Sequence, residues 1–292
     1  MTISQVRIGH GPDSAEVPAI GQGTWHMGED RRSHSDEVKA LQHGLDLGLS
    51  LIDTAEMYAD GGAEEVVGEA MKGRRDEVFL VSKVYPWNAG RDSAIRACEA
   101  SLKRLGTDHV DLYLLHWPGG IPLAETLEAF ERLADSGKIR HFGVSNFDID
   151  EMQALAALPG AAEACTVNQV LYHLASRGIE VALRPWMQQH QMPIMAYCPL
   201  AQAGSYGSNP LHDPSIIQLA AELSLTPAQL LLAWVTRKTN DCRDVIAIPK
   251  ATSLAHVADN AKALEIDLDM DTLTRLDEWF PAPSRKVPLD IV

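Results

Sequence analysis

An alternation of apolar runs and helical segments is the feature that most restricts how this chain can fold. Eight short apolar runs are separated by segments whose apolar residues are spaced by three and four. Runs such as VFLVS and LYLLH are apolar at successive positions, which is typical of parallel strands buried on both faces. Eight strands alternating with helices predict a (β/α)8 barrel; an open doubly wound sheet, the alternative, usually has fewer strands. The predicted strands are 19–24, 51–54, 78–83, 111–116, 141–145, 166–170, 193–197 and 245–248.

The helical segments carry recognisable start signals. One amphipathic segment contains Val38, Leu41, Leu45 and Leu49, and we predict that it opens at Ser35. Other predicted helix starts are Asp92 or Ser93 and, in a first helical turn, Pro227.

The length of 292 residues suits one barrel, which typically needs about 250 residues. No linker or low-complexity segment interrupts the sequence, so we expect residues 1–292 to form a single domain. Segments 6–8 and 17–20 predict a short β-hairpin that caps the bottom of the barrel.

The composition excludes several classes of partner. A net charge of −15 disfavours binding to nucleic acid and to anionic membranes. No apolar run approaches the roughly 18 residues of a membrane span, and the N-terminus lacks the pattern of a signal peptide. We therefore expect a cytoplasmic protein, a monomer or weak oligomer.

The four cysteines are widely spaced and contain no C-x-x-C pair. This spacing favours reduced, buried thiols over a zinc site or a disulfide framework, so no metal is predicted. The Gly-rich stretch GQGTWHMG also lacks the G-x-G-x-x-G spacing of a Rossmann dinucleotide site, and no phosphate-binding P-loop is present.

Chemically capable side chains collect where the predicted strands end. In a barrel the C-terminal ends of the strands meet at one face, which is where active sites are built. Any one of these residues alone is more often a structural polar group, but six strand ends together favour a site. They carry Asp53, Lys83, His116, Ser145, Asn146, Asn168, Gln169 and Tyr197.

Four residues suit proton transfer to a carbonyl group if they converge. The phenol of Tyr58 has an ordinary pKa of about 10, and a nearby Lys83 ammonium is expected to lower that pKa towards a useful range. Asp53 would hold Lys83 in place and charged, and His116 would donate a hydrogen bond to the carbonyl oxygen. A barrel aldolase or isomerase with Lys83 as a Schiff-base amine is the alternative, but it requires a neutral lysine, which Asp53 opposes.

Nothing else in the chain can supply a hydride, so the set implies a nicotinamide cofactor. Tyr197 offers an aromatic face to the nicotinamide ring, and Ser145, Asn146 and Gln169 offer donors and acceptors to its carboxamide. Lys250 follows the last strand, where barrels commonly bind phosphate.

From residue 17 onward the chain resembles the aldo-keto reductases. LSLIDTAEMYADGGAEEVVGEA, VSKVYPWN, LLHWP, GKIRHFGVSNF, NQVLYH, AYCPLA and AIPKATSLAHVADN match the motifs of that family in order. The resemblance implies a barrel enzyme that uses NADPH and whose catalytic residues are Asp53, Tyr58, Lys83 and His116. The cofactor contacts it implies are Gly23, Thr24, Asp53, Ser145, Asn146, Gln169, Tyr197, Cys198, Pro199, Leu200, Ile248, Lys250, Thr252, His256, Asp259 and Asn260.

Two departures from the family pattern concern the 2′-phosphate of NADPH. Ala251 stands where serine is common, and His256 replaces an arginine, so a planar and permanently charged donor is absent. Lys250 remains and Thr252 is nearby, so NADPH is still favoured while some use of NADH stays open.

The substrate side is predicted from aromatic residues and loop lengths. Trp25, Trp87 and Trp117 follow strand ends and would wall a pocket above Tyr58 and His116. The loop WPGGIP and the tail 281–292 are short, which suggests a small or open pocket. The motifs GQGTWHMGED, AEMYADGGAE and SKVYPWNAG resemble those of the bacterial branch of the family that reduces methylglyoxal and other 2-oxoaldehydes. A cofactor-binding regulatory subunit of the same fold, similar to potassium-channel β-subunits, is the alternative function.

Overall fold

The computed structural model describes residues 4–30, 33–201 and 209–292. In this part of the chain a two-stranded antiparallel sheet precedes a sheet of eight parallel strands. The first sheet consists of β1 (Gln5–Ile8) and β2 (Ala15–Pro18). The parallel strands are β3 (Gln22–Gly23), β4 (Leu51–Asp53), β5 (Phe79–Val84), β6 (Val110–Leu115), β7 (Ile139–Ser145), β8 (Cys165–Leu171), β9 (Ile194–Tyr197) and β10 (Val245–Ala247).

The parallel sheet closes into a barrel. Each strand from β3 to β10 pairs with its sequence neighbours, and the two ends of the sheet meet through backbone contacts. Gly21 N donates to Ala247 O at 2.8 Å, and Gly23 N donates to Pro249 O at 3.0 Å. All eight predicted strands are confirmed, and so is the predicted (β/α)8 barrel.

Helices connect the strands on the outside of the barrel. They are α1 (His34–Asp46), α2 (Gly62–Ala70), α3 (Ser93–Leu105), α4 (Leu123–Asp135), α5 (Ile149–Ala156), α6 (Ala161–Ala164), α7 (Leu183–Gln189), α8 (Pro214–Glu222), α9 (Pro227–Val235), α10 (Leu254–Lys262) and α11 (Met270–Trp279). The predicted starts of α3 and α9 are confirmed.

The prediction for α1 needs correction at both ends. The helix begins at His34, with Ser33 rather than Ser35 at its N-cap, and it ends at Asp46. Leu49 lies beyond the helix, yet it is buried. Leu49 continues the apolar spacing of α1 because the turn after the helix packs on the same core.

The N-terminal hairpin lies at the bottom of the barrel, as predicted. Val6 of β1 pairs with Val17 of β2. Val6 also lines a groove with Pro193 and Asp244, which immediately precede β9 and β10. The opposite, C-terminal end of the barrel is thus left open.

An irregularity between β7 and β8 sets the register at that open end. Phe142 pairs with Cys165, whereas Val144 pairs with Asn168, so β8 contains one extra residue. Gly143 permits this approach, because a Cβ there would lie 2.4 Å from the Val167 carbonyl oxygen. The bulge brings Ser145, at the end of β7, opposite Gln169 of β8.

The cysteines differ in burial. All four are free thiols; Cys98 and Cys165 are buried as expected, whereas Cys198 is half-buried and Cys242 is exposed. The backbone of Cys242 forms an isolated antiparallel bridge with that of Thr239 in a turn. The prediction that Cys242 is a buried thiol is therefore wrong.

No single helix among the described residues is long and apolar enough to cross a membrane. The consecutive helices α8 and α9 reach that length only together, and they are bent by 90°.

Candidate active site

A buried ammonium group lies at the centre of the open end of the barrel. Lys83 Nζ donates to Asp53 Oδ2 at 2.8 Å, to the Thr54 carbonyl oxygen at 2.9 Å and to the Tyr58 hydroxyl at 3.0 Å. The Lys83 side chain is fully buried, and that of Asp53 is 2% exposed. These three acceptors use all three hydrogens of the ammonium group.

Strand register and one strained turn bring the three side chains together. Asp53 ends β4, and Lys83 is near the end of the adjacent β5. Tyr58 begins a turn in which Ala59, Asp60 and Gly61 all have positive φ angles, of 52°, 51° and 92°. Left-handed conformations of ordinary residues cost roughly 1–2 kcal/mol each, so the surrounding structure must hold this turn.

The second oxygen of Asp53 is also occupied. Gln169 Nε2, on β8, donates to Asp53 Oδ1 at 2.8 Å across the barrel. Burial raises the pKa of Asp53 and burial lowers the pKa of Lys83, while their mutual attraction opposes both shifts. The attraction and the hydrogen bond between the two groups favour the ionised form of each, against the effect of burial.

The pKa of Tyr58 moves in the direction opposite to our expectation. Burial raises the pKa of this phenol well above its ordinary value, and the negative charge of Asp53 adds to the increase. Lys83 does not reverse the shift, because burial is its largest cause. Tyr58 consequently keeps its proton throughout the neutral pH range.

His116 lies beside Tyr58 and is uncharged. Its ring meets the Tyr58 ring edge-on, with 5.8 Å between the centroids. Burial, together with the nearby charge of Lys83, lowers the pKa of His116 to about 2. Its Nδ1 atom is buried without a hydrogen-bond partner. A neutral imidazole in this position can donate one N–H bond to a ligand.

These groups face a cavity of about 370 Å³ at the open end of the barrel. The predicted catalytic residues Asp53, Tyr58 and His116 line it, and Lys83 lies directly behind them. The predicted cofactor residues that also line it are Gly23, Ser145, Asn146, Gln169, Tyr197, Cys198, Pro199, Ile248 and Lys250.

Other predicted cofactor residues lie outside this cavity. Thr24 is fully buried behind the wall, where its hydroxyl donates to the Asp53 carbonyl oxygen at 2.9 Å. The remaining ones are Leu200, Thr252, His256, Asp259 and Asn260.

Hydrogen bonds order the polar wall of the cavity. The Tyr197 hydroxyl donates to Asn146 Oδ1 at 2.8 Å, and Asn146 Nδ2 donates to the His116 carbonyl oxygen at 3.1 Å. Ser145 Oγ donates to the Gln169 carbonyl oxygen at 2.9 Å. Asn146 has a φ of 59°, which turns its amide away from the strand direction. Since Asn146 Nδ2 also donates to Ser145 Oγ at 3.3 Å, the side chains of Ser145, Asn146 and Tyr197 form one connected surface.

The end of the cavity near β10 carries positive charge, and the start of a helix follows it along the chain. Lys250 lines the cavity, and α10 begins four residues later. Ser253, at the N-cap of α10, makes no side-chain capping bond, so the first N–H groups of the helix remain available. His256 is exposed in this first turn. Together these donors suit an anion.

Asp259 and Asn260, predicted to contact an adenine, lie on α10. Asp259 Oδ1 accepts a hydrogen bond from Gln229 Nε2 at 3.1 Å, and Asn260 is buried. Asp259 is thus already engaged by the neighbouring helix α9.

The aromatic prediction holds for two of the three tryptophans. Trp25 and Trp117 line the cavity. Trp87 lies outside the cavity lining, is 63% exposed and stacks on Tyr85 with 4.3 Å between the ring centroids. Trp87 lies next to the cavity lining rather than in it, and its ring meets that of Trp117 edge-on with 5.7 Å between the centroids.

Three cavity residues escaped the sequence prediction. His26 and Met57 are direct neighbours of Trp25 and Tyr58, so sequence adjacency was an available signal. Val292 also lines the cavity, and nothing local in the sequence marks it. Its position depends on how the tail crosses the barrel mouth, where Lys286 Nζ lies 3.0 Å from Asp148 Oδ2 and Ser176 donates to Asp290.

Comparison with known proteins gives consistent matches. The sequence model described as "Aldo/keto reductase family" matches residues 19–280. Methylglyoxal reductase YeaE of Escherichia coli is 56% identical over 276 residues, which cover 94% of this chain and 95% of that protein.

Solved structures match over the full length. The aldo/keto reductase from Klebsiella pneumoniae in complex with NADP and acetate has a TM-score of 0.94 and 56% identity, with 100% of both chains covered. A structure of an aldo-keto reductase from the same organism in complex with NADPH gives the same values.

We predict that His116 stays neutral from about pH 5 to pH 8, the range in which an unperturbed imidazole titrates. Its lowered pKa means that the charged form appears only near pH 2. Nitrogen-15 NMR of the histidine side chains measures this directly, with the His116 signal assigned by its loss in a His116→Asn variant. A titration of that signal with a midpoint inside the range would contradict the predicted environment.

Proposed function

The chain belongs to the aldo/keto reductase family, and we propose that it transfers hydride from NADPH to small aldehydes or 2-oxoaldehydes, with Tyr58 as proton donor. The observation that carries the proposal is the contact of Lys83 Nζ with both Asp53 and the Tyr58 hydroxyl at the wall of the cavity. We further propose that residues 1–292 act as one cytoplasmic barrel domain, monomeric or weakly oligomeric; the continuous core from Val6 to Leu276 supports the single domain.

Tyr58 is suited to protonate the oxygen of a carbonyl group as negative charge develops on it. Its raised pKa keeps the proton in place before the reaction. The phenolate left after transfer would accept a charge-assisted hydrogen bond from Lys83, 3.0 Å away. This contact strengthens as the proton leaves, so it stabilises the transition state more than the ground state. Asp53 keeps Lys83 in position.

His116 supports this transfer as an orienting donor. The neutral ring beside Tyr58 can donate to the same carbonyl oxygen without competing as an acid. The two donors would fix the oxygen, and hence the face of the carbonyl carbon that receives hydride.

The donor set of the cavity fits a nicotinamide dinucleotide. When bound, the cofactor supplies the hydride. Ser145, Asn146 and Gln169 present amide and hydroxyl groups for a carboxamide, and Tyr197 presents an aromatic ring beside them. The relatives from Klebsiella pneumoniae were solved with NADP or NADPH, which supports the same cofactor here.

NADPH is favoured over NADH by the anion-suited end of the cavity. Lys250 and the free N–H groups at the start of α10 would bind the 2′-phosphate, with Thr252 and His256 beside them. Because His256 is not permanently charged, the preference for NADPH is expected to be moderate, and NADH remains usable.

The small cavity limits the substrate class. Ligand sites of drug-sized molecules typically span about 300–1,000 Å³, and this cavity of about 370 Å³ must also hold the nicotinamide. Among the described lining side chains, the carboxylate of Asp53 is already paired, and the tryptophans add apolar walls. A small uncharged carbonyl compound suits such a space. The name of the relative YeaE, methylglyoxal reductase, supports 2-oxoaldehydes.

Two other functions are less well supported. A Schiff-base role for Lys83 requires a free lone pair on Nζ, but this atom donates to three acceptors. A regulatory subunit would not need the proton-donor contact, which is intact here.

The first test is Tyr58→Phe, which should bind NADPH normally and lose about 10²–10⁴-fold in kcat, the usual contribution of a general acid. Tyr113→Phe is a matched control because Tyr113, on β6, is also buried and its hydroxyl has no hydrogen-bond partner. The kcat of both variants is measured from the loss of NADPH absorbance during methylglyoxal reduction. Residual turnover of Tyr58→Phe within tenfold of the wild type would refute Tyr58 as the acid.

The second test is His256→Arg. A permanently charged guanidinium in the first turn of α10 should tighten NADPH binding by about fivefold to tenfold, the net scale of one ordinary hydrogen bond, and leave NADH binding unchanged. Cofactor dissociation constants from fluorescence titration give the ratio. Equal changes for both cofactors would show that His256 does not face the 2′-phosphate.

A further inference from the structure

A buried carboxylate outside the cavity connects the elements that carry Tyr58 and Lys83. Glu64, in the first turn of α2, is fully buried. Its Oε1 accepts from Ser82 Oγ at 2.6 Å, and its Oε2 accepts from Arg104 Nε at 2.6 Å. Neither Glu64 nor Arg104 lines the cavity, so the proposed chemistry does not account for this pair.

Glu64 connects the two segments that carry the Tyr58–Lys83 contact. Ser82 immediately precedes Lys83 on β5. The α2 helix that carries Glu64 follows directly from the Tyr58 turn. One carboxylate therefore joins the strand that bears the lysine to the helix that continues from the tyrosine.

Arg104 contacts the strained turn itself. Its side chain, on α3, lies against Gly61 so closely that a Cβ there would be 2.5 Å from Arg104 Cδ. Gly61 is the third consecutive left-handed residue after Tyr58. Arg104 Nη2 also donates to Ser101 Oγ at 3.2 Å, which fixes the guanidinium in this orientation. The turn is thus held from outside by a side chain that Glu64 positions.

We propose that Glu64 and Arg104 are positioning residues that hold the Tyr58 hydroxyl within hydrogen-bonding distance of Lys83. The inference rests on the proposed function and deepens it, because it assigns the rigidity of the proton donor to a pair of residues outside the cavity. The negative charge of Glu64 also favours the protonated form of Lys83, which acts in the same direction.

The matched control is a second ion pair, between Arg75, which precedes β5, and Asp111 on β6. Arg75 Nη2 lies 2.7 Å from Asp111 Oδ2, with side-chain exposures of 19% and 3%, compared with 26% and 0% for Arg104 and Glu64. Asp111 accepts from the Leu80 N–H near the start of β5, at the end of the barrel opposite to Tyr58. Arg75→Met should therefore lower stability without moving the proton donor.

The experiment compares Arg104→Met, Glu64→Gln and Arg75→Met in the full chain, with unfolding free energies from urea titration. A displacement of about 1 Å at reacting groups can cost about 10²-fold, so we expect Arg104→Met and Glu64→Gln to lose at least about tenfold in kcat for methylglyoxal. The KM for NADPH should change by less than about twofold, and Arg104→Lys should recover part of the rate because it keeps the charge near Glu64. Arg75→Met should keep kcat within about twofold.

Equal effects on kcat of Arg104→Met and Arg75→Met would overturn the inference, because they would make Glu64–Arg104 a merely structural pair. If Glu64→Gln does not fold, the two Arg104 variants decide the outcome.

A wild-type protein that reduces no carbonyl compound would instead refute the proposed function. A crystal structure of Arg104→Met then tests the positioning role alone: a lengthened Tyr58–Lys83 contact supports it, and an unchanged contact rejects it.

Discussion

The fully buried ammonium of Lys83 is the constraint on which the open end of this barrel depends. Removing a charge from water costs several kcal/mol unless paired charges and hydrogen bonds replace the solvent. Here Asp53, the Thr54 carbonyl and the Tyr58 hydroxyl provide that replacement. Because Gln169 holds the other oxygen of Asp53, the requirement extends across the barrel from β4 to β8.

This arrangement explains how a tyrosine can be both a stable proton store and an effective acid. Burial and the charge of Asp53 raise the pKa of Tyr58, so the proton is present before reaction. The hydrogen bond from Lys83 to Tyr58 is then strongest when the phenolate forms. An outer set of contacts, from Glu64 to Ser82 and Arg104, connects the same elements from behind. The site thus has an inner layer that stabilises charge and an outer layer that fixes distance.

Much of this was accessible from the sequence, for a definite physical reason. Parallel strands end at one face, so Asp53, Lys83, His116, Ser145 and Tyr197 could be assigned to one site without any knowledge of contacts. Properties that depend on burial or on the course of the loops in the folded chain could not be predicted in that way. The direction of the Tyr58 pKa shift required the burial of the phenol, which local sequence does not encode. The outward position of Trp87 and the arrival of Val292 at the cavity depend on how loops cross the barrel mouth. Leu49 kept the helical spacing although the helix ends at Asp46, because the turn after it packs on the same core.

The central claim is that the Lys83 ammonium stabilises the phenolate that Tyr58 becomes. A single-turnover measurement on Lys83→Met tests this most directly, since methionine fills similar space without charge. Mixing the NADPH-loaded variant with methylglyoxal and following NADPH fluorescence separates the chemical step from cofactor binding and product release. The account predicts a rate at least about 10²-fold below that of the wild type, with an NADPH dissociation constant within about threefold. A variant that binds NADPH and reduces methylglyoxal within about threefold of the wild-type rate would contradict it.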